Sequence, residues 1–181
     1  MMKNALFGAG VLAATLGLAG AAAGESVYVF EFEDWNPTEG WSQGGPTANP
    51  NTLLNLGDGA EIYRVAWDIT VTAEGSSWLA DWRVGMVPTT GAFDSGLFLT
   101  PGAGQNTTGT MNFADDIVLA DVQIPNIVLT NGELYIESYS AFTSGTFIGA
   151  SGSITLYYIP APGALALFGM AGLVGPRRRR A

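Results

Sequence analysis

Glu61-Ile-Tyr-Arg-Val-Ala-Trp-Asp-Ile-Thr-Val-Thr72, followed by Ser77-Trp-Leu-Ala-Asp-Trp-Arg-Val-Gly-Met-Val87, is the stretch that decides the fold. In its first half Tyr63, Val65, Trp67, Ile69 and Val71 alternate with Arg64, Asp68, Thr70 and Thr72. In its second half Trp78, Ala80, Trp82, Val84 and Met86 share one parity. Period-2 alternation of β-branched and aromatic residues marks half-buried strands, and no helical period competes with it. Glu74-Gly75 between the halves has turn chemistry and predicts a hairpin. Pairing Thr72 with Ser77 sets Trp67 opposite Trp82, Val71 opposite Trp78 and Val65 opposite Val84. Both apolar stripes then lie on one face, which a slip of one residue would destroy. Trp67, Trp78 and Trp82 are accordingly expected to be structural, with a slot for a sugar ring as the lesser alternative.

The same alternation recurs outward from this hairpin. Ser26–Glu33, Gly96–Thr100, Thr108–Phe113, Ile117–Gln123, Glu133–Phe142 and Gly152–Ile159 read as further strands. Pro101-Gly102, Asn131-Gly132 and Ser151-Gly152 read as turns, and Asn36–Asn55 as a long polar loop. Short strands separated by Gly-rich turns in one segment predict an all-β fold, an antiparallel β-sandwich that is jelly-roll-like.

The two ends differ from the middle. Lys3, an uncharged apolar run from Ala5 to Gly20, and Ala21-Ala22-Ala23 have the order of a signal peptide cleaved by signal peptidase. At the other end Pro160-Ala161-Pro162 precedes an apolar run, Gly163–Gly175, and four arginines, Arg177, Arg178, Arg179 and Arg180. That run, about 13 residues, spans roughly 20 Å as a helix, short of the roughly 30 Å hydrocarbon core. Arginines held on the cytoplasmic side stop translocation, so the segment suits a transient membrane anchor. The domain division is therefore 1–23 signal peptide, 24–159 sandwich and 160–181 sorting segment, with a helix expected at each end.

This C-terminal order of short Pro motif, hydrophobic stretch and basic tail resembles the PEP-CTERM sorting signal of bacterial exported proteins. Ala161 stands where that family has Glu. The resemblance implies an exosortase-type processing enzyme as partner and a destination in the cell envelope, at the cell surface or outside the cell. The stretch from Val65 through Trp78, with the late Gly152-Ser-Ile-Thr-Leu156 strand, also looks like the passenger domains found ahead of this signal.

Of seven basic residues, only Arg64 and Arg83 lie outside the end segments, whereas all 16 acids fall between Glu25 and Glu137. Two arginines against sixteen carboxylates leave the middle at −14, compared with −9 for the whole chain. Such a surface disfavours nucleic acid and anionic lipid as partners and favours cations. There are no cysteines and no histidines. Disulfides, a Ser-His-Asp triad, a cysteine nucleophile and the usual zinc ligands go together with them. No Gly-rich phosphate loop precedes a helix. The remaining catalytic option is a carboxylate pair of the glycosidase kind, and nothing in the spacing sets two acids across a cleft. The chain reads as non-catalytic.

Four candidate groups follow. Trp35 and Trp41 sit in or beside the polar loop, as exposed sugar-stacking rings or as a lid folded on the core. Asp68 and Asp81 face each other in the hairpin register, where a Ca²⁺ ion or Arg83 would relieve the repulsion. Asp34 and Asn36 offer oxygen ligands at alternate positions at a strand end, without the glycine and distal Glu of an EF-hand loop. Asp115, Asp116 and Asp121 form a third acidic group at a loop edge. The leading reading is an exported, non-catalytic envelope or matrix protein that binds polysaccharide, needing no cofactor beyond a structural Ca²⁺. Its rivals are a Ca²⁺-stabilised adhesion module and a glycosidase-like enzyme.

Overall fold

A computed structural model describes residues 24–42, 47–90, 95–142 and 147–161. The signal segment 1–23 and the apolar run and arginines within 162–181 lie outside the described residues, as do the two flanking helices expected there. Among the described residues there is no α-helix, and none long and apolar enough to cross a membrane.

The described residues form nine strands in two antiparallel sheets. They are β1 (Ser26–Trp35), β2 (Asn51–Asn55), β3 (Ala60–Glu74), β4 (Trp82–Pro88), β5 (Leu97–Leu99), β6 (Gly109–Val118), β7 (Ile127–Leu129), β8 (Glu133–Ser140) and β9 (Phe147–Ile159). The first sheet has the order β1-β9-β3-β6, with β7 paired to the start of β3; the second has the order β2-β8-β4-β5. One apolar core joins them. From the first sheet come Phe30, Phe32, Ile69, Val71, Ile154 and Leu156, and from the second Leu54, Trp82, Val84, Met86, Leu134 and Ile136. Each of these buried apolar side chains contributes about 1.5–3 kcal/mol over an exposed position.

The hairpin expected at Glu74-Gly75 is corrected. The turn exists, with Gly75 at φ 63° and the Ser77 N–H donating to the Glu74 carbonyl at 3.2 Å. It leads from one sheet into the other, however, instead of back along the same one. A 3-10 helix, Leu79–Asp81, interrupts the alternation, and Leu79 drops into the core. Trp82, Val84 and Met86 then face inward from the second sheet. Trp67 lies between Ile154 and Asp115, Val71 between Ala150 and Met111, and Val65 between Leu156 and Ile117. Trp82 is fully buried, Trp67 packs at the margin of the core, and Trp78 is 47% exposed. An interval of alternating residues serves a crossing between layers as well as a hairpin, because both keep the apolar stripe inward.

Smaller boundaries move too. Asn36–Asn55 contains β2. Thr108–Phe113 and Ile117–Gln123 merge into β6, followed by a 3-10 helix Leu119–Val122. Ser151-Gly152 is not a turn but the middle of β9, where Gly152 at φ 150° lets the strand lie close against β3: a Cβ there would sit 2.2 Å from the Asp68 carbonyl oxygen. Tyr63 is skipped in the pairing of β3 with β9, so Ile62 turns inward in its place.

Candidate functional site

Trp35 and Trp41 are pinned in different layers. Trp35 ends β1 and is buried, with its ring 5.3 Å from Phe30 and 5.0 Å from Phe32, centroid to centroid. Its carbonyl accepts the Trp82 Nε1–H at 3.1 Å. The ring is core, not a sugar platform. Trp41 lies on the outer face of the second sheet, half-buried, edge-on to Phe98, Tyr135 and Tyr139. It covers Gly85 so closely that a Cβ there would meet its ring at 2.4 Å.

Glu137 holds that loop in place. Its side chain is fully buried on β8 yet accepts four hydrogen bonds. Oε1 takes the Ser42 N–H at 3.1 Å and Asn49 Nδ2 at 2.8 Å; Oε2 takes the Ser42 hydroxyl at 2.5 Å and the Tyr135 hydroxyl at 3.1 Å. Asn49 in turn accepts the backbone N–H groups of Thr38 and Glu39. Burial, with the Glu137 carboxylate beside it, holds the Tyr135 phenol above its ordinary pKa; burial also raises Tyr139, against an opposing pull from Arg83. A buried acid with every lone pair engaged anchors a loop.

The cation sites expected from sequence are not assembled. Asp68 and Asp81 do not face each other, since they belong to a strand of the first sheet and to the crossing turn. Asp68 Oδ1 accepts Asn112 Nδ2 at 2.7 Å, and Asp81 Oδ2 accepts the Trp78 N–H at 2.7 Å. Arg83 is on the second sheet opposite Tyr139, away from Asp68. Asp34 is exposed at φ 53°, its N–H donating to Ser151 Oγ at 3.0 Å. Asn36 lies against Gly149. Among the described residues no three Asp or Glu side chains come together to hold an ion. Asp115 and Asp116 are in the edge strand β6, with Asp121 in the turn after it.

A groove of about 490 Å³ opens instead on the outer face of the first sheet. Its walls are Glu31 and Glu33 of β1, Asp68 and Thr70 of β3, and Ser151 and Ser153 of β9, with Gly152 at the floor. The register explains it: Glu31, Ser153 and Asp68 stand in one row across three strands, and Ser151 and Thr70 stand in the next. Small residues on the central strand between larger acids on its neighbours leave a trough. Strands stand about 4.8 Å apart, so the Glu31 and Asp68 side chains flank it at roughly 10 Å. Carboxylates and hydroxyls so placed accept and donate hydrogen bonds to a hydroxyl-rich ligand. Glu31, Glu33, Asp68 and Thr70 were legible as outward-facing in their strands, whereas Ser151-Gly152 read as a turn. The meeting of these residues was not legible, because it depends on β9 pairing with strands far from it in the chain.

No protein-family model and no curated protein sequence matches the chain. Among solved structures, the VP2 subviral particle of infectious bursal disease virus is similar at 15% identity and a TM-score of 0.43, covering 83% of this chain. This chain spans only 39% of that VP2 chain. The tobacco streak virus coat protein is similar at 11% identity and a TM-score of 0.31, covering 88% of this chain and 94% of its own. The Washington University polyomavirus VP1 pentamer follows at 10% identity and a TM-score of 0.33, covering 83% and 98%. Likenesses this distant say nothing of function.

Proposed function

We propose that this protein is an exported, non-catalytic component of the bacterial cell envelope or extracellular matrix, whose jelly-roll-like domain binds polysaccharide. The outer groove lined by Glu31, Asp68, Ser151 and Ser153 carries the binding part of this reading. The alternation of the chain between the layers, with sheet orders β1-β9-β3-β6 and β2-β8-β4-β5, supports the jelly-roll description. The delivery part rests on the sequence of the two ends: a signal peptide before residue 24, and Pro160-Ala161-Pro162 with Arg177–Arg180 as an exosortase-type signal. Ser26 pairs with Tyr158, so both connecting segments leave the domain at the same end, which suits a domain held transiently at a membrane by its C-terminus.

Two measurements test it. Mass spectrometry of the protein recovered from cells is expected to find an N-terminus near Gly24 and a C-terminus near Pro162; a chain ending at Ala181 would refute processing. Affinity electrophoresis in gels containing polysaccharide is expected to retard the protein, and the double variant Glu31→Gln/Asp68→Asn to abolish that retardation. Unchanged retardation of a folded double variant would remove the groove from the site.

A further inference from the structure

The end of the sandwich opposite both termini carries an aromatic patch that the core does not use. Trp78, Phe142 and Phe147 are 47%, 42% and 38% exposed. Their backbones converge: Phe147 pairs with Glu74, the Ser77 N–H donates to the Glu74 carbonyl, and the Ala141 N–H donates to the Asp81 carbonyl at 2.9 Å. Trp78 is exposed by construction. Its neighbours Ser77 and Leu79 are buried, its N–H is held by Asp81 Oδ2, and its carbonyl accepts the Asp81 N–H at 2.9 Å. The ring is thus presented outward from a fixed backbone, at little entropic cost to binding. A polar rim belongs to the same turn. The Leu79 N–H donates to the Thr107 carbonyl at 2.9 Å, which brings exposed Asn106, Thr107 and Thr108 beside it.

We infer that this end is a second binding site, at which the Trp78 ring stacks on the apolar face of an uncharged sugar. Rings with a polar surround suit ligands that have one apolar face and many hydroxyls. Asn106 amide and Thr107 and Thr108 hydroxyl groups supply hydrogen bonds to such a ligand. The carboxylates of Glu74 and Asp81, on a domain at −14, disfavour an anionic one. Position agrees with this occupant. β9 runs 13 residues from Phe147 at the patch to Ile159 at the exit of the chain, about 40 Å at strand rise. A domain tethered through its C-terminus therefore presents Trp78 away from the tether, towards whatever surrounds the cell. The inference takes its ligand class from the polysaccharide reading but uses none of the groove residues.

The test is affinity electrophoresis of the full-length chain, in a polyoxyethylene detergent, through gels containing hydroxyethyl cellulose, dextran or polygalacturonate. Retardation by a neutral polymer is expected, weakened at least tenfold by Trp78→Ala and largely kept by Trp78→Tyr. Urea unfolding of each variant confirms the fold. If Trp78→Ala is retarded like the parent while Glu31→Gln/Asp68→Asn is not, this site fails and the groove stands. The reverse pattern supports Trp78 and sinks the groove. Retardation by polygalacturonate alone, or by no polymer, overturns the inference. So does a Trp78→Ala variant that differs only in gel-filtration volume, which would make the patch a contact between copies.

Discussion

Trp78 and Trp82 have the same side chain four positions apart, and the fold treats them oppositely. Trp82 is enclosed between the layers, stacked at 6.0 Å on Phe32, and its Nε1–H satisfies the buried Trp35 carbonyl. Trp82→Phe keeps most of the apolar volume but strands that carbonyl, so urea unfolding should show a loss of about 1–3 kcal/mol. Trp78→Phe removes nothing from the core and should change stability by less than about 0.5 kcal/mol; equal losses would contradict the crossing described at Leu79–Asp81. A second residue-scale case is Asp116. Arg64 donates to it through Nε at 2.7 Å and through Nη2, and stacks its guanidinium 4.3 Å from the Tyr157 ring centre. The hydrogen bonds from Arg64 hold the Asp116 carboxyl below the usual carboxylate range. Since the folded pKa lies under the unfolded one, the pair's contribution is present above the ordinary Asp value of about 3.9. It is lost as pH falls through the depressed pKa. Both groups are well exposed, so the effect on stability is small. NMR titration of the Asp116 carboxyl should give a midpoint below the ordinary Asp value of about 3.9, and the difference should shrink in Arg64→Gln.

The strands themselves could be read from the chain, since alternation depends only on neighbours, and β1, β3, β4, β5 and β8 fall near their expected places. Pairing could not. The residues from Glu61 to Val87 satisfy a hairpin and a crossing equally well until Leu79 is known to bond Thr107 across the end of the sandwich. The groove needed still more, because Glu31, Ser153 and Asp68 meet only through β9, the last strand. Strand β6 shows what an element can do that its residues cannot announce. It is an edge strand of 10 residues, exposed along most of its length, with neither Pro nor Lys in it. Trp67 and Ile69 face the core side, and their partners Asp115 and Phe113 share that parity. Asp115 is therefore a charge on the core-side parity of an edge strand, exposed and accepting the Asp116 N–H at 2.8 Å. A charge so placed at an edge blocks pairing with another chain. Asp115→Val should raise self-association on light scattering at raised protein concentration, while Asp58→Val, in an exposed loop, should not. No increase for Asp115→Val would mean the edge is protected by something other than this charge.

Across the whole molecule the dominant feature is repulsion. The domain gathers sixteen carboxylates and two arginines, one of which is committed to Asp116. The carboxylates are also spread apart by the fold: Glu31, Glu33 and Asp68 around the groove, Asp115 and Asp116 on the β6 edge, Glu74 and Asp81 at the distal end. Distributed charge of one sign destabilises the compact state through its summed field and is relieved by any mobile ion. Raising NaCl from about 20 to 300 mM shortens the screening length from roughly 20 to 6 Å. That spans most neighbouring acids, so Tm should rise by about 3–5 °C. A dedicated cation site predicts something different, because it would take up Ca²⁺ at low concentration regardless of ionic strength. The register separates Asp68 from Asp81 and engages each with its own donor. CaCl₂ and NaCl matched in ionic strength should therefore give the same Tm by calorimetry, with or without EDTA. A further rise with a few hundred micromolar Ca²⁺ would show that the carboxylates gather around an ion in a way their strand positions do not provide.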